Sequence, residues 1–178
     1  MSQASQHSLP LKLAELAADY QTSAVIAHCP KCERPCCKLD TLVLELAWKQ
    51  VKTLWKIQCS RAVFDQQLAT GSGPEEIRAG GDLYYVHQKP CPAYDTSLKT
   101  CQIYGQALKP AGCTDFPVYE DQGDLIADLR CEAIDLEALK HCIGEGLGPN
   151  FQIRAIPDED FPFLVTLMVK KSGRKPGR

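Results

Sequence analysis

Cys29-Pro30-Lys31-Cys32-Glu33-Arg34-Pro35-Cys36-Cys37 puts four thiols into nine residues, and the use made of those thiols decides what fold can carry them. Paired as disulfides they would staple a small secreted scaffold; as thiolates they would draw irregular loops around a metal. Pro30 and Pro35 keep the run out of regular helix, which suits a loop whose sulfurs converge on one point. More thiols follow in Cys91-Pro92, in Cys101-Gln102-Ile103-Tyr104, in Cys113-Thr114-Asp115-Phe116-Pro117 and at Cys131, and the 178-residue chain holds 10 cysteines in all.

The choice turns on compartment. Residues 1–8 have no basic segment, and the apolar residues that follow are interrupted by Lys12, Glu15 and Asp19, so the start of the chain does not read as a signal peptide. No stretch has the uncharged length of a transmembrane helix. A cytoplasmic location is expected, with no membrane partner. In a reducing cytosol clustered thiols bind metal more often than they form standing disulfides. The net charge of −2 gives no push toward nucleic acid, which is not expected as a partner. A chain of this length can bury a core without covalent staples.

Outward from the run, residues 11–20 have helical spacing in Leu13, Leu16, Ala17 and Tyr20 and predict a short helix. A long amphipathic helix is expected from residue 40 to about residue 69, capped by Asp40 or Thr41. Its stripe would be Val43, Leu46, Ala47, Val51, Leu54, Trp55 and Cys59, and Gly71-Ser72-Gly73-Pro74 would end it. Pro74 and Glu75-Glu76 predict a further turn or two of helix, stopped by Gly80-Gly81.

The second half reads as strands. Residues 83–86 predict one, and residues 116–119 and 125–129 flank Asp121-Gln122-Gly123-Asp124, a hairpin signal. Residues 136–143 predict a helix, and residues 151–156 and 163–169 two last strands. The fold class that emerges is α+β: a small single domain with a long amphipathic helix, short β-hairpins and cysteine-bearing loops around a metal centre. Its parts are an N-terminal segment with a short helix (residues 1–28), a cysteine-cluster metal-binding domain (29–169) and a basic disordered tail (170–178).

Thiolate is a soft donor suited to zinc, copper(I) and iron–sulfur clusters. A C-x2-C step lets two sulfurs reach one centre, and a distant pair commonly completes the ligation. Adjacent side chains do not easily face one atom, so Cys36 and Cys37 are expected to serve different centres or different irons. Lys31, Arg34 and Lys38 stand where they could offset thiolate charge. The ferredoxin and paired-histidine zinc-finger spacings are absent, and no nucleophile-elbow sequence supports hydrolase chemistry. His28, His87 and His141 read as surface or supporting residues rather than ligands, and Cys59 and Cys142 as packing residues.

Taken together, C-x2-C-x3-C-C, Cys91-Pro92-Ala93-Tyr94-Asp95, Cys101-Gln102-Ile103-Tyr104 and Lys109-Pro110-Ala111-Gly112-Cys113-Thr114-Asp115-Phe116-Pro117 resemble the YkgJ-type cysteine-cluster family, the CxxCxxCC zinc- or iron-chelating domain. That pattern runs approximately CxxCxxCC, CPxLD, CxIY, RPxxCRxFP and a further cysteine, which Cys131 could match. The resemblance spans residues 29 to 131. Tyr94, Lys109 and Thr114 depart from it, the last two replacing arginines, which puts in doubt any anion or partner contact those arginines make.

The resemblance implies metal chelation by Cys29, Cys32, Cys36, Cys37, Cys91, Cys101, Cys113 and Cys131. It leaves iron–sulfur or zinc open; the number of thiols and the vicinal pair favour an iron–sulfur cluster with a redox or accessory role, with room for a protein partner. A flagellin lysine N-methylase shares the motif and raises an enzymatic alternative. The chain has neither a glycine-rich strand-to-helix turn for S-adenosylmethionine nor the C-x3-C-x2-C run of radical enzymes.

Overall fold

The computed structural model describes residues 8–38, 43–87 and 90–172. Along the chain, α1 (Ser8–Tyr20) passes through a wider π turn at Gln21–Val25 into the short α2 (Ile26–His28). Tight 3₁₀ turns follow at Cys29–Lys31 and Cys36–Lys38. Next come β1 (Leu44–Ala47), α3 (Trp48–Leu54), α4 (Arg61–Ala69), β2 (Ile77–Gly80), β3 (Leu83–Val86), β4 (Tyr94–Asp95) and β5 (Thr100–Cys101). The chain continues with α5 (Ala111–Asp115), β6 (Val118–Asp121), β7 (Asp124–Asp128), α6 (Leu136–Leu147), β8 (Phe151–Pro157) and β9 (Leu164–Lys171). Every strand pair among these is antiparallel, as the α+β expectation requires. The described residues gather into two compact units, one of residues 1–28 with 115–178 and one of residues 29–114. The segment expected as a metal-binding domain, 29–169, is thus shared by both.

The first unit is a four-stranded sheet in the order β6-β7-β9-β8 with helices laid on it. Leu13, Leu16, Ala17 and Tyr20 repeat at three and four residues on α1 and are all buried with Leu125, Ala127, Val165 and Leu167 of the sheet. Each fully buried Leu or Val stabilises by roughly 1.5–3 kcal/mol, which holds α1 more firmly than its own propensity could. The β6–β7 turn places Gln122 and Gly123 at positive φ, the geometry that favours a two-residue hairpin loop. Asp135 caps α6 by accepting from the Glu137 and Ala138 amides at 2.9 and 3.0 Å. Gly146 lets α6 approach α1: a Cβ there would collide with the Leu16 side chain. Gln21 is buried yet satisfied, donating to the Val118 carbonyl at 2.6 Å.

The second unit corrects the expected long helix. Residues 44–47 form a strand, and the helical stretch that follows is split in two. Leu44 and Leu46 are buried while Glu45 and Ala47 are exposed, a period of two that suits a strand. Lys56 at φ 54 breaks the chain direction after α3, and Ser60 starts α4 anew by accepting from the Val63 amide at 3.4 Å. The expected cap at Asp40 or Thr41 lies outside the described residues. The turn of helix expected after Pro74 is also replaced, by β2, which pairs with β3 in a sheet of order β1-β3-β2. Gly80 stops no helix there; its bare Cα makes room for the Tyr85 ring.

Trp48, Phe64 and Tyr84 form the centre of this core, with ring centroids 5.5 to 5.9 Å apart. Cys59 packs against it and Cys142 packs against the core of the first unit, the packing roles expected of both. Lys170 and Lys171 belong to β9, so the basic tail begins later than residue 170, and residues 173–178 lie outside the described part. Among the described residues no helix is long and apolar enough to cross a membrane.

Candidate metal centre

Seven of the eight cysteines singled out as ligands lie in the second unit: Cys29, Cys32, Cys36, Cys37, Cys91, Cys101 and Cys113. All are half-buried. Backbone hydrogen bonds tie together the loops that carry them. The Cys32 amide donates to the Cys29 carbonyl at 3.2 Å, closing the first tight turn, and the Cys91 amide donates to the Cys37 carbonyl at 2.8 Å. That second bond joins the opening run to a loop more than fifty residues later in the chain.

From Cys91 the chain turns at once, the Tyr94 amide donating to the Cys91 carbonyl at 2.9 Å. Tyr94 then pairs directly with Cys101 across the β4–β5 ribbon. Asp95 holds the ribbon's turn, accepting from the Ser97 and Leu98 amides at 2.9 Å each; these bonds keep its carboxyl below the ordinary carboxylate range. Cys113 sits on α5 with its amide donating to the Pro110 carbonyl at 3.1 Å. Cys91 and Cys113 both pack against the aromatic core, so the core anchors two corners of the thiol assembly.

The thiols feel one another's charge. Burial raises the Cys91 thiol, with Cys101 and Cys36 adding to the rise. Burial raises Cys113 to about 12, again with Cys36 and Cys91 contributing. Cys29 is raised by burial and then by Cys36. The vicinal pair behaves oppositely. Cys37 donates a hydrogen bond to the Cys36 sulfur, which brings Cys36 down from an ordinary 9.0 to about 7, while the same bond drives Cys37 upward. The hydrogen bond thus favours ionisation of one thiol of the pair and opposes ionisation of the other.

Such an arrangement is electrostatically uncomfortable without a cation. Burying several thiolates side by side disfavours each of them, and a metal ion or cluster compensates them all at once. Cys36, Cys37, Cys91, Cys101 and Cys113 carry free thiols, so the donor set is chemically ready for metal. Among the described residues no three of the seven sulfurs lie within 4.8 Å of one another.

Cys131 belongs to the first unit. It packs against that unit's core, and its amide donates to the Asp128 carbonyl at 3.2 Å. Its neighbour there is Tyr20, whose hydroxyl donates to the Ala133 carbonyl at 3.3 Å and whose pKa is raised by burial and by the nearby Asp135, Cys131 and Cys142. Of the histidines, His28 and His141 stand 3.6 and 3.5 Å from the carboxylates of Glu132 and Glu145. The His28 Nε2 is buried without a hydrogen bond among the described residues.

Among the described residues Lys109 is a cation that bears on the thiols, its charge favouring the thiolates of Cys29, Cys36 and Cys113. In the sequence it reads only as a replaced arginine, and no periodicity or spacing marks it. The fold and the site define an α+β protein whose second unit carries a thiol-rich set of loops. No family model, curated protein or solved structure matches the chain.

Proposed function

We propose that the protein is a metal-binding protein holding an iron–sulfur cluster through the thiolates of Cys29, Cys32, Cys36, Cys37, Cys91, Cys101 and Cys113, in a reducing, cytoplasmic setting. The observation that carries this reading is the gathering of seven half-buried thiols in one compact unit, with Cys91 and Cys113 raised first by burial and then by their neighbours' charge. When bound, the cluster supplies one-electron redox chemistry or a structural anchor. The chain's own part is to hold the sulfurs at fixed spacing, with two of the loops joined through the Cys91–Cys37 backbone bond.

The number of thiols and the vicinal pair Cys36-Cys37 favour a cluster over a single zinc ion. Cys131, the eighth expected ligand, belongs to the first unit. Anaerobic purification followed by iron, sulfide and zinc analysis tests the reading. Brown protein with iron and sulfide in comparable amounts is expected; colourless protein with stoichiometric zinc would replace it with a structural zinc site.

A further inference from the structure

We propose that a small cavity between the opening cysteine run and the β4–β5 ribbon binds a short organic acid, with Lys38 and Lys99 meeting its carboxylates and the Tyr94 hydroxyl donating to it. The cavity lies wholly within the second unit. Cys32, Pro35 and Lys38 line one side, and Tyr94, Thr96 and Lys99 the other. Backbone bonds fix both walls. The Lys38 amide donates to the Pro35 carbonyl at 3.0 Å, and the Cys91–Cys37 bond ties this run to the chain that enters β4. On the facing wall Asp95 holds the turn that carries Thr96 and Lys99, and Tyr94 is paired with Cys101.

Three donors in these walls have no answer from the described residues. Tyr94 is buried, yet its hydroxyl has no hydrogen-bond partner among them. A buried tyrosine normally finds one, so this hydroxyl is left for whatever the cavity admits. Lys38 and Lys99 are exposed, and among the described residues neither has a carboxylate within ion-pair distance. Two ammoniums and one phenol therefore border the same space without a common acceptor.

The lining also fixes the class of ligand. The two ammoniums stand against one carboxylate, that of Glu33, which is itself engaged, so the cavity favours an anion. Pro35 and the Tyr94 ring add apolar surface that a carbon chain covers and an inorganic anion leaves bare. The volume of about 200 Å³ is the share of about six or seven waters at ~30 Å³ each, which holds a short acid and excludes a nucleotide. Because the lysines are exposed, binding is weak and screened by salt. Of the seven proposed metal ligands Cys32 lines this cavity, so an occupant lies against one corner of the thiol set.

Calorimetric titration of the full-length protein as purified, with the four-carbon dicarboxylate succinate as the probe at low ionic strength, tests the site whatever metal the protein holds. A Kd on the order of 1 mM is expected, with inorganic phosphate binding more weakly. Lys38→Gln and Lys99→Gln should each weaken succinate binding about fivefold. Tyr94→Phe, which keeps the ring and drops the hydroxyl, should weaken it about threefold. Lys49→Gln, on α3 and outside the lining, should leave it unchanged. Should Tyr94→Phe fail to fold by circular dichroism, the two exposed lysines carry the test. No succinate binding by the wild type, phosphate binding as tight as succinate, wild-type affinity in either cavity lysine variant, or a matching loss in Lys49→Gln overturns the inference. None of these results bears on the metal reading, which iron and sulfide analysis tests by itself.

Discussion

Replacing Cys37 with alanine should raise the pKa of Cys36 and slow its alkylation at neutral pH. In the metal-free protein the Cys37 thiol donates to the Cys36 sulfur and is the main reason that Cys36 titrates at about 7 rather than 9.0. At pH 7 Cys36 is then about half thiolate, against about 1% for an ordinary thiol, a gain of about fiftyfold in reactive form. A thiolate of lower pKa is intrinsically less nucleophilic, by about tenfold over two units, which leaves a net advantage of about fivefold. Iodoacetamide labelling read by peptide mass spectrometry across pH 6 to 10, roughly the span over which cysteine titrates, gives the midpoint for Cys36 directly. In Cys37→Ala the midpoint should move up by about one unit or more, the rest being held by backbone amides and Lys109. Cys37→Ser, whose hydroxyl can still donate, should keep it low. A Cys36 midpoint unchanged in Cys37→Ala would refute the shared-proton account.

Two more predictions follow from the same unit. The metal-free protein should gain resistance to urea as pH rises through about 7 and lose it as pH rises past 9.0, where the raised thiols of Cys29, Cys37, Cys91 and Cys113 oppose ionisation. The depressed Cys36 adds stability that is present above the unfolded value of 9.0 and lost as pH falls through about 7. Cys113, raised to about 12, adds stability that is present below 9.0 and lost as pH rises toward 12. Urea midpoints that decline steadily from pH 7 to 9 would contradict the sign assigned to Cys36. Phe64→Ala removes a fully buried ring that packs on Trp48 and Tyr84 and should cost about 3–5 kcal/mol. Because Cys91 and Cys113 rest on that core, both should also alkylate faster; a loss below about 1 kcal/mol would show the ring to be less central than its burial implies.

What could be read from the chain depended on how local each signal was. Leu13, Leu16, Ala17 and Tyr20 declared α1 because all four face one core, and Gln122-Gly123 declared a hairpin because its backbone needs positive φ. The stretch from Val43 to Cys59 misled. Leu46, Val51 and Leu54 fall at helical intervals, but Leu44 and Leu46 answer to strand β3, where Leu46 faces Tyr84. Pairing partners about forty residues away overrode the local pattern. Ile77 was lost to the same cause, through its pairing with Val86.

At the site, spacing and resemblance grouped eight cysteines, of which seven fall in the second unit and Cys131 in the first. The hydrogen bond between the Cys36 and Cys37 sulfurs was not legible, because adjacent side chains are expected to diverge. Lys109 was not, because its relation to Cys29, Cys36 and Cys113 exists only once the loop from Cys101 to Cys113 has closed over Tyr104. The placement of Cys131 with Tyr20 and the core of the first unit likewise depends on long-range packing.

The central claim is that the seven thiols of the second unit hold an iron–sulfur cluster, and metal analysis of anaerobically purified protein tests it most directly. The account predicts a brown protein with iron and acid-labile sulfide, whose colour bleaches in air and is lost in a variant carrying Cys91→Ser and Cys113→Ser together. A colourless protein with stoichiometric zinc, or with no bound metal at all, would contradict it.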